Sequence, residues 1–471
     1  MPAADSARFE KFAALCGEKN IIAGDVAGNK YLRDFLGQYE GRAFAVLTPE
    51  TTAQVSAIIK LCGETKTPVV PQGGNTGYRG GCIPDGGGRA VILSLEKMRG
   101  APKVCAASQT IHAAAGCVLE ELQNAGAGAG FFFPLNLGAK GRCQIGGNLA
   151  TNAGGLNFLR YGGARELCLG LEAVLPSGEI MDLLSAPRKN NSGYDLKNLL
   201  VGSEGTLGVI TAARMKIVAP PPHRAAAFAA ADDMESALAL LSVCREKTGN
   251  MLECAEVMPR ALLLLLQKHF PNLAPPFAAP PPLAVLVEAA GENGIGENLQ
   301  NALAEAQQRG IISDAVLALS ETQRRRLWEL RELAPEATKR EGRWLKLDVC
   351  LPLQNLAAFA AAARKMLAVA DPDGVHIVSF GHLGDGNLHL SLRPQNRAPE
   401  ENPAAAENIQ NGVFQLVLEN GGAFSAEHGI GRMHAAALRR YKNPAAYSAM
   451  RAVKTALDPG NIMNPGAVFS D

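Results

Sequence analysis

The sequence predicts an α+β fold in two or more domains, and three features support this. The chain has 471 residues, 47% of them hydrophobic and 19% charged, whereas single cores rarely grow past about 250 to 300 residues. A proline run at 219–222 interrupts any helix or central strand. Beyond it, helix-like and strand-like stretches alternate, as in α+β domains. We therefore expect an N-terminal helical segment 1–40, a first domain 41–220 and a second domain 221–471.

The first regular element of the first domain is predicted to be a helix near residue 50. Thr48-Pro49-Glu50 has the pattern of an N-cap, a proline at the first helical position and an early acid. Apolar residues then recur at helical spacing. They are Val55, Ile58, Ile59 and Cys62. The short apolar run 67–70 follows and leads directly into a glycine-rich loop.

In the second domain, the alanine-rich stretch 224–245 is predicted to form packed amphipathic helix. The run 283–289 has the composition of a strand. Helix-like and strand-like patterns continue to the histidine-containing segments near residues 380 and 428, which completes the α+β prediction.

Charge and composition exclude several classes of function. The formal net charge is +1, and no run of like charge exceeds Arg324-Arg325-Arg326, so nothing indicates a nucleic-acid partner. No stretch of about 18 apolar residues predicts a transmembrane helix, and the first residues do not resemble a signal peptide. The ten cysteines form no Cys-x-x-Cys pair, so reduced and mostly buried thiols are expected. We expect a cytoplasmic protein, with peripheral association at the inner membrane left open.

Three glycine-rich loops in the first domain predict a nucleotide-like ligand. They are 73–77, 146–155 and 202–208. Each exposes backbone N–H groups beside small hydroxyl and amide side chains, which suits a diphosphate or a flat polar ring. None has the spacing of a P-loop or of a Rossmann dinucleotide turn. One such loop is usually a tight turn, but three in one domain favour a dinucleotide.

The second domain carries a candidate metal site. His382 and His389 flank the turn Gly384-Asp385-Gly386, and Glu427-His428 follows further on. Alternation from residue 388 to 392 places three leucines on one strand face and His389 with polar residues on the other. Imidazole and carboxylate suit a divalent transition metal. A lone histidine in such a strand is more often structural, but this grouping favours a functional cluster.

The glycine-rich segments resemble a known family. VVPQGGNTG at 69–77, GAKGRCQIGGNLATNAGG at 138–155, KNNSGYDLK at 189–197 and GSEGTLG at 202–208 are similar to the PCMH-type FAD domain of the vanillyl-alcohol oxidase class. The histidine segments, with WELRE at 328–332 and KLDV at 346–349, resemble its D-lactate and D-2-hydroxyglutarate dehydrogenase branch. The resemblance runs from about residue 40 to the C-terminus.

The resemblance implies a two-part FAD domain, a substrate domain with an antiparallel sheet, and a C-terminal helical segment that returns to the flavin. It implies that FAD is bound by Pro71, Gly73, Gly74, Asn75, Thr76, Gly77, Pro134, Gly138, Gly146, Gly147, Asn148, Thr151, Asn152, Gly154, Gly155, Glu204, Gly205, Gly208, Ile210 and Asn464. Family members with covalent flavin often tether it through a histidine in the first loop. This chain has none there, so we expect non-covalent FAD. Arg79 departs from the apolar residues expected beside that loop.

The resemblance also implies a reaction. A zinc or other divalent ion is expected on His382, His389 and Glu427, with His428 as the base that takes the hydroxyl proton of a D-2-hydroxy acid. Substrate contacts are expected from Arg331, Lys346 and Asn387. Solvent exposure on a helix is the alternative for Arg331.

Two residues give opposite indications about the identity of the substrate. Lys346 favours the dicarboxylate D-2-hydroxyglutarate, whereas Pro335 stands where a hydroxyl-bearing residue is common, so D-lactate and other D-2-hydroxy acids remain alternatives. A glycolate-oxidase-like subunit and a non-catalytic flavin-binding protein are less favoured. The expected electron acceptor is an electron-transfer flavoprotein or a quinone, and a homodimer is one possible assembly.

Overall fold

A computed structural model describes residues 3–185, 187–273, 275–370, 374–394 and 398–470. By their contacts these residues form two compact units. The first unit comprises Met1–Gly155, Gly162–Pro220 and Glu427–Asp471, and the second comprises Leu156–Tyr161 and Pro221–Ala426.

Strands and helices are numbered in chain order. The strands are β1 (Ile21–Ala23), β2 (Ala45–Leu47), β3 (Val69–Gln72), β4 (Val91–Ser94), β5 (Lys103–Cys105), β6 (Thr110–Ala114), β7 (Cys168–Val174), β8 (Ile180–Asp182), β9 (Val209–Lys216), β10 (His223–Ala231), β11 (Leu252–Pro259), β12 (Leu283–Gly291), β13 (Asp314–Leu317), β14 (Leu345–Cys350), β15 (Val375–His382) and β16 (Asn387–Pro394). The helices are α1 (Ala3–Cys16), α2 (Asn29–Leu32), α3 (Thr52–Glu64), α4 (Leu119–Gly128), α5 (Ile145–Ala150), α6 (Phe158–Tyr161), α7 (Ala164–Leu167), α8 (Leu196–Leu200), α9 (Met234–Thr248), α10 (Arg260–His269), α11 (Ile295–Gln308), α12 (Glu321–Glu332), α13 (Ala334–Arg340), α14 (Leu353–Ala370), α15 (Pro403–Glu419), α16 (Ala435–Tyr441) and α17 (Pro444–Leu457).

The first unit contains two sheets, as the two-part prediction requires. One has the order β1-β2-β4-β3, with β2, β4 and β3 parallel. The other has the order β5-β6-β9-β7-β8 and is antiparallel throughout. One apolar cluster packs against the five-stranded sheet, and a second contains residues of both sheets, including Val174 and Val209, so the glycine-rich loops extend from packed supports.

Helix α3 is confirmed, but its predicted start is wrong. The N-cap is Thr51, whose hydroxyl accepts from the Gln54 N–H while the Gln54 side chain accepts from the Thr51 N–H. This reciprocal capping box fixes the first turn. Thr48 is buried instead, and its hydroxyl donates to the Asn20 carbonyl. The apolar stripe faces the core as predicted, and the extended run after the helix becomes β3.

The C-terminal segment from residue 427 packs within the first unit, so the compact units differ from the predicted segment 221–471 at this point. The Val69 N–H donates to the Ile462 carbonyl, and the Asn464 N–H donates to the Val69 carbonyl. Lys454 is buried and donates to the Thr206 carbonyl. These contacts attach the helical C-terminus to β3 and to the loop 202–208.

The second unit is built on one seven-stranded antiparallel sheet. Its order is β13-β10-β12-β11-β15-β16-β14. The predicted strand at 283–289 is confirmed as β12. The predicted helix at 224–245 is wrong in its first part, because 223–231 forms β10 between β12 and β13. Small alanines are buried on both faces of this inner strand, so the sequence there shows neither helical nor strand periodicity. Helix α9 begins only after the N-cap Asp233.

Two general predictions can be compared with the described residues. None of the helices described is both long and apolar enough to cross a membrane. All ten cysteines carry free thiols, and seven of them are buried, in line with the prediction of mostly buried thiols.

Candidate functional site

In the second unit, one face of the sheet carries the two predicted histidine ligands. Leu388, Leu390 and Leu392 are buried on the opposite face of β16, which confirms the predicted alternation. His389 pairs in register with Asp348 of β14. His382 of β15 pairs with Glu256 of β11 on one side and with Asn387 of β16 on the other. Directly paired residues of an antiparallel ladder project to the same face. The register therefore sets both histidines beside two acidic residues.

Each of these histidines is bonded to a buried carboxylate. The distance from His382 Nδ1 to Glu256 Oε1 is 2.5 Å, and that from His389 Nδ1 to Asp348 Oδ1 is 3.1 Å. The two imidazole rings lie 5.3 Å apart at an angle of 84°. A carboxylate at Nδ1 fixes the tautomer and directs Nε2 toward a metal ion. The pair is arranged as metal ligands usually are.

The two carboxylates are held by further donors. Burial alone raises the pKa of Glu256, but Arg331 and His382 outweigh burial and lower this pKa to about 2, so Glu256 is anionic. Asp348 also accepts from Asn387 Nδ2 at 2.8 Å and from the Ala426 N–H at 3.1 Å. Both are at most 1% exposed. Fixed, paired anions of this kind orient their neighbours rigidly.

The cationic side chains that are predicted to bind the substrate lie in the same region of the second unit. Arg331 of α12 is only 6% exposed, so the alternative of an exposed helix residue is wrong. Its Nε donates to Glu256 Oε2 at 2.5 Å, and its guanidinium lies 5.0 Å from the centre of the Phe380 ring. Lys346 lies two residues before Asp348 on β14 and is half-buried. The pKa of Lys346 is lowered from its usual value, mainly because burial removes water from its ammonium group.

Asn387 and Pro335 add detail to the substrate prediction. Asn387 Nδ2 donates to Asp348 and to the Val349 carbonyl, whereas its buried Oδ1 accepts no bond from the described residues. That oxygen is therefore available to a ligand donor. Pro335 is exposed in the first turn of α13. The nearby hydroxyl of Thr338 donates within the same helix, to the Ala334 and Pro335 carbonyls.

In the first unit, a cavity of about 370 Å³ lies between the first loop and the segment 141–144, which precedes the middle loop. Gly73, Gly74, Asn75 and Gln144 form part of its wall. Four cationic side chains also line it. They are Lys30, Lys97, Arg99 and Arg142. Backbone N–H groups and cations together suit a diphosphate, so the cavity has the chemistry that FAD requires.

Two glycines in or near this wall, Gly74 and Gly146, cannot carry a side chain without displacing other groups. A Cβ on Gly74 would lie 2.3 Å from the Arg142 carbonyl oxygen, and one on Gly146 would lie 2.6 Å from the Ala115 Cβ. Gly73 and Gly147 face each other and meet only in ordinary contact. Buried Gln144 Oε1 accepts no hydrogen bond from the described residues. Protein packing thus requires Gly74 and Gly146, and the unpartnered acceptor of Gln144 is available to a bound FAD.

Several predicted FAD residues shape the loops from within. Asn75 donates through Nδ2 to the Lys30 and Arg33 carbonyls, and Thr151 donates to the Gly147 carbonyl. Asn152 accepts from the Arg165 N–H. The other predicted residues that do not line the described cavity are Pro71, Thr76, Gly77, Pro134, Gly138, Gly146, Gly147, Asn148, Gly154, Gly155, Glu204, Gly205, Gly208, Ile210 and Asn464.

The segment that carries Glu427 and His428 is held by the first and middle glycine-rich loops of the first unit. The Gly155 N–H donates to Glu427 Oε1 at 2.8 Å, and a Cβ on Gly154 would lie 2.5 Å from the same oxygen. The His428 ring meets the Tyr78 ring edge-on, with 4.6 Å between ring centres. Gly154 and Gly155 thus accommodate a carboxylate of the protein itself.

The third loop holds the same segment through Glu204. Its two carboxylate oxygens accept from the Ile430 and Gly431 N–H groups, each at 2.8 Å. Asn464 Nδ2 donates to the Glu204 and Gly81 carbonyls. Burial raises the pKa of Glu204. Glu204 and Asn464, predicted as FAD contacts, therefore link loops of the protein to one another.

Sequence reasoning missed the partners of the predicted residues. Asp348 lies inside the motif at 346–349, and Glu256 is one of two acids, with Glu253, in the mainly apolar strand β11, which is itself a signal of buried pairs. Arg142 and Gln144 lie inside the motif at 138–155. Lys30 lies in none of the sequence motifs, and only the fold brings it to the cavity.

Comparison with known proteins gives the family. The family model of FAD linked oxidases, C-terminal domain, matches residues 220–468, and that of the FAD binding domain matches 43–184. The chain is 39% identical to D-2-hydroxyglutarate dehydrogenase of Rattus norvegicus, over 92% of this chain and 79% of the relative. It is 34% identical to the protein of that name from Xanthomonas citri, over 93% and 92%. A Schizosaccharomyces pombe protein named as a candidate D-lactate dehydrogenase is 37% identical, over 92% and 83%.

Solved structures agree on the fold. p-Cresol methylhydroxylase with bound substrate superimposes with a TM-score of 0.78 at 16% identity, covering 100% of this chain and 98% of that one. 4-Ethylphenol oxidase from Gulosibacter chungangensis gives a TM-score of 0.77 at 16% identity, with the same coverage. The predicted PCMH-type α+β fold is confirmed. The chain belongs to the FAD-linked oxidases and, within them, to the family of FAD-dependent D-2-hydroxy acid dehydrogenases.

Proposed function

We propose that this protein oxidises D-2-hydroxyglutarate to the 2-oxo acid, with FAD as the hydride acceptor. The observation that carries the proposal is the sheet face of the second unit, where two carboxylate-bound histidines share one region with Arg331 and Lys346. The names of the rat and Xanthomonas relatives support the same substrate. D-lactate is the second candidate, because Pro335 supplies no hydroxyl and the fission yeast relative carries that name.

The carboxylates of the substrate require fixed cations. Arg331 has its Nε bonded to Glu256 and presents the rest of its planar fork to one carboxylate. Lys346 is a point charge suited to the other. Asn387 Oδ1 accepts a hydrogen bond from the substrate hydroxyl before that proton is removed. These three contacts fix which hydrogen at C2 leaves.

We assign His382 and His389 as ligands of a zinc or other divalent ion, with Glu427 as the third ligand. The donor set is two imidazoles and one carboxylate, which is a catalytic zinc set with an open position. The assignment of Glu427 rests on the sequence resemblance. A bound ion would lower the pKa of the substrate hydroxyl.

His428 is the proposed base. It takes the hydroxyl proton as the C2–H bond breaks and the carbonyl forms, and the Tyr78 ring and the loop contacts of Glu204 hold its segment in position. Bound FAD supplies N5 as the acceptor of the C2 hydride. The first loop contains no histidine, so the proposal includes FAD that is released on denaturation. The electron acceptor, the homodimer and the cytoplasmic location stay predictions.

Anaerobic mixing with a panel of D- and L-2-hydroxy acids tests the proposal. D-2-hydroxyglutarate should bleach the flavin. D-lactate should also bleach it, but with a lower ratio of the reduction rate constant to the substrate dissociation constant. The L-isomers should not react. A higher value for D-lactate would replace the substrate with the second candidate. No bleaching by any D-2-hydroxy acid would contradict the reaction.

A further inference from the structure

Glu256 lies in the middle of β11 and is 1% exposed. A carboxylate is costly to bury unless charged or hydrogen-bonding partners compensate. Each of its oxygens has a different partner. Oε1 lies 2.5 Å from His382 Nδ1, and Oε2 lies 2.5 Å from Arg331 Nε. One side chain therefore holds a predicted metal ligand and a predicted substrate contact.

The two bonds have separate consequences. The strand register sets Glu256 directly opposite His382, so the imidazole is held with Nε2 as its ligating atom. On the other side, the Nε contact and the Phe380 ring at 5.0 Å fix the plane of the Arg331 guanidinium. A fixed plane lets a planar fork bind a carboxylate with little loss of entropy.

We infer that Glu256 is a positioning residue that sets the metal ligand His382 and the substrate-binding Arg331 together. The inference rests on the proposed function, since it takes both roles from there. Asp348 holds the other predicted metal ligand, His389, and also accepts from Asn387. Loss of Glu256 should thus weaken both metal binding and substrate binding.

The same strand offers a matched control. Glu253 is also 1% exposed, and its carboxylate is bonded to a different set of partners, Arg160, Arg224 and Tyr161. Glu253→Gln and Glu256→Gln both remove one buried negative charge from β11. Any general cost of losing a buried carboxylate is common to the two variants.

The experiment measures two quantities in the FAD-loaded protein. Zinc affinity is determined on chelator-stripped protein by competition with a metal-binding dye, and KM for D-2-hydroxyglutarate is determined at saturating zinc. Glu256→Gln should bind zinc about 10-fold to 100-fold more weakly, as expected when the carboxylate behind a ligating histidine is lost. Its KM should rise roughly tenfold, since Arg331 loses its orientation. Glu253→Gln should leave both within about threefold of wild type.

The outcomes separate the inference from the proposed function. Wild-type protein that takes up no zinc overturns the metal site and the inference with it. Wild type that binds zinc, with a Glu256→Gln variant unchanged in both affinity and KM, overturns only the role of Glu256. If Glu256→Gln does not fold, Glu256→Asp keeps the charge and shortens the reach by one methylene. Unchanged zinc affinity and KM in that variant would equally contradict the inference.

Discussion

The two units prepare their chemistry in opposite ways. The first unit uses bare backbone, because its cavity is walled by Gly73 and Gly74, and N–H groups such as that of Gly155 hold functional side chains. The second unit uses charged side chains on a rigid sheet, where Glu256 and Asp348 fix two histidines. A backbone site leaves no room for a side chain where its ligand approaches, whereas a side-chain site tolerates no lost charge. This difference decides which substitutions damage each unit.

The largest effect is expected at the base. His428→Ala should slow flavin reduction by D-2-hydroxyglutarate about 100-fold to 10,000-fold, with FAD and metal content retained, because only the proton acceptor is lost. The wild-type rate should rise with pH as the base loses its proton, and this dependence should vanish in the variant. Stopped-flow absorbance measures both.

Glu427→Ala is the companion of that variant, because it should lose metal and activity together. Reduction of His428→Ala within about threefold of wild type would mean that the base lies elsewhere. Metal loss in His428→Ala would make that residue a ligand.

A smaller effect is expected at Lys346, the proposed partner of the distal carboxylate of the substrate. Lys346→Met should lower kcat/KM for D-2-hydroxyglutarate about 10-fold to 100-fold, the value of a hydrogen bond to a charged group, and should change D-lactate oxidation far less. Lys339→Met, an exposed lysine on α13, is the control and should affect neither substrate. Equal losses for both substrates in Lys346→Met would remove Lys346 from substrate selection.

The FAD contacts that the resemblance implies predict a loss of FAD affinity in a glycine variant. A Cβ on Gly147 would meet only ordinary contact with Gly73, so Gly147→Val should fold, while its branched side chain should block close approach of FAD. Its FAD dissociation constant should rise roughly tenfold or more. Gly100→Val, at a glycine with nothing within 4 Å, should bind FAD normally. The dissociation constant of each variant is measured by titrating flavin-free protein with FAD and following the fluorescence of the flavin.

The smallest effect tests the start of α3. Thr51→Ala should lower the free energy of unfolding by about 1 kcal/mol, since it removes the N-cap hydroxyl. Thr51→Ser keeps that hydroxyl and should retain most of the stability. Chemical denaturation measures both variants, and equal stability of Thr51→Ala and wild type would disprove the cap.

The sequence was informative where chemistry is local. Glycine clusters can be recognised by residue type and spacing, so the cofactor class was predictable, and the same signals let His382 and His389 be proposed as ligands. The partners of those ligands were not, because Glu256 and His382 are 126 residues apart and meet only through strand register. The strand at 223–231 was mistaken for helix since alanine gives no periodic contrast.

The central claim is that metal-assisted oxidation of a D-2-hydroxy acid reduces the flavin. Stopped-flow mixing with D-2-hydroxyglutarate before and after chelation tests it most directly. Stripped protein should keep its FAD spectrum, fail to bleach on the time scale of the untreated enzyme, and regain the rate when zinc is added. Bleaching at the full rate in protein shown by elemental analysis to be metal-free would contradict the account.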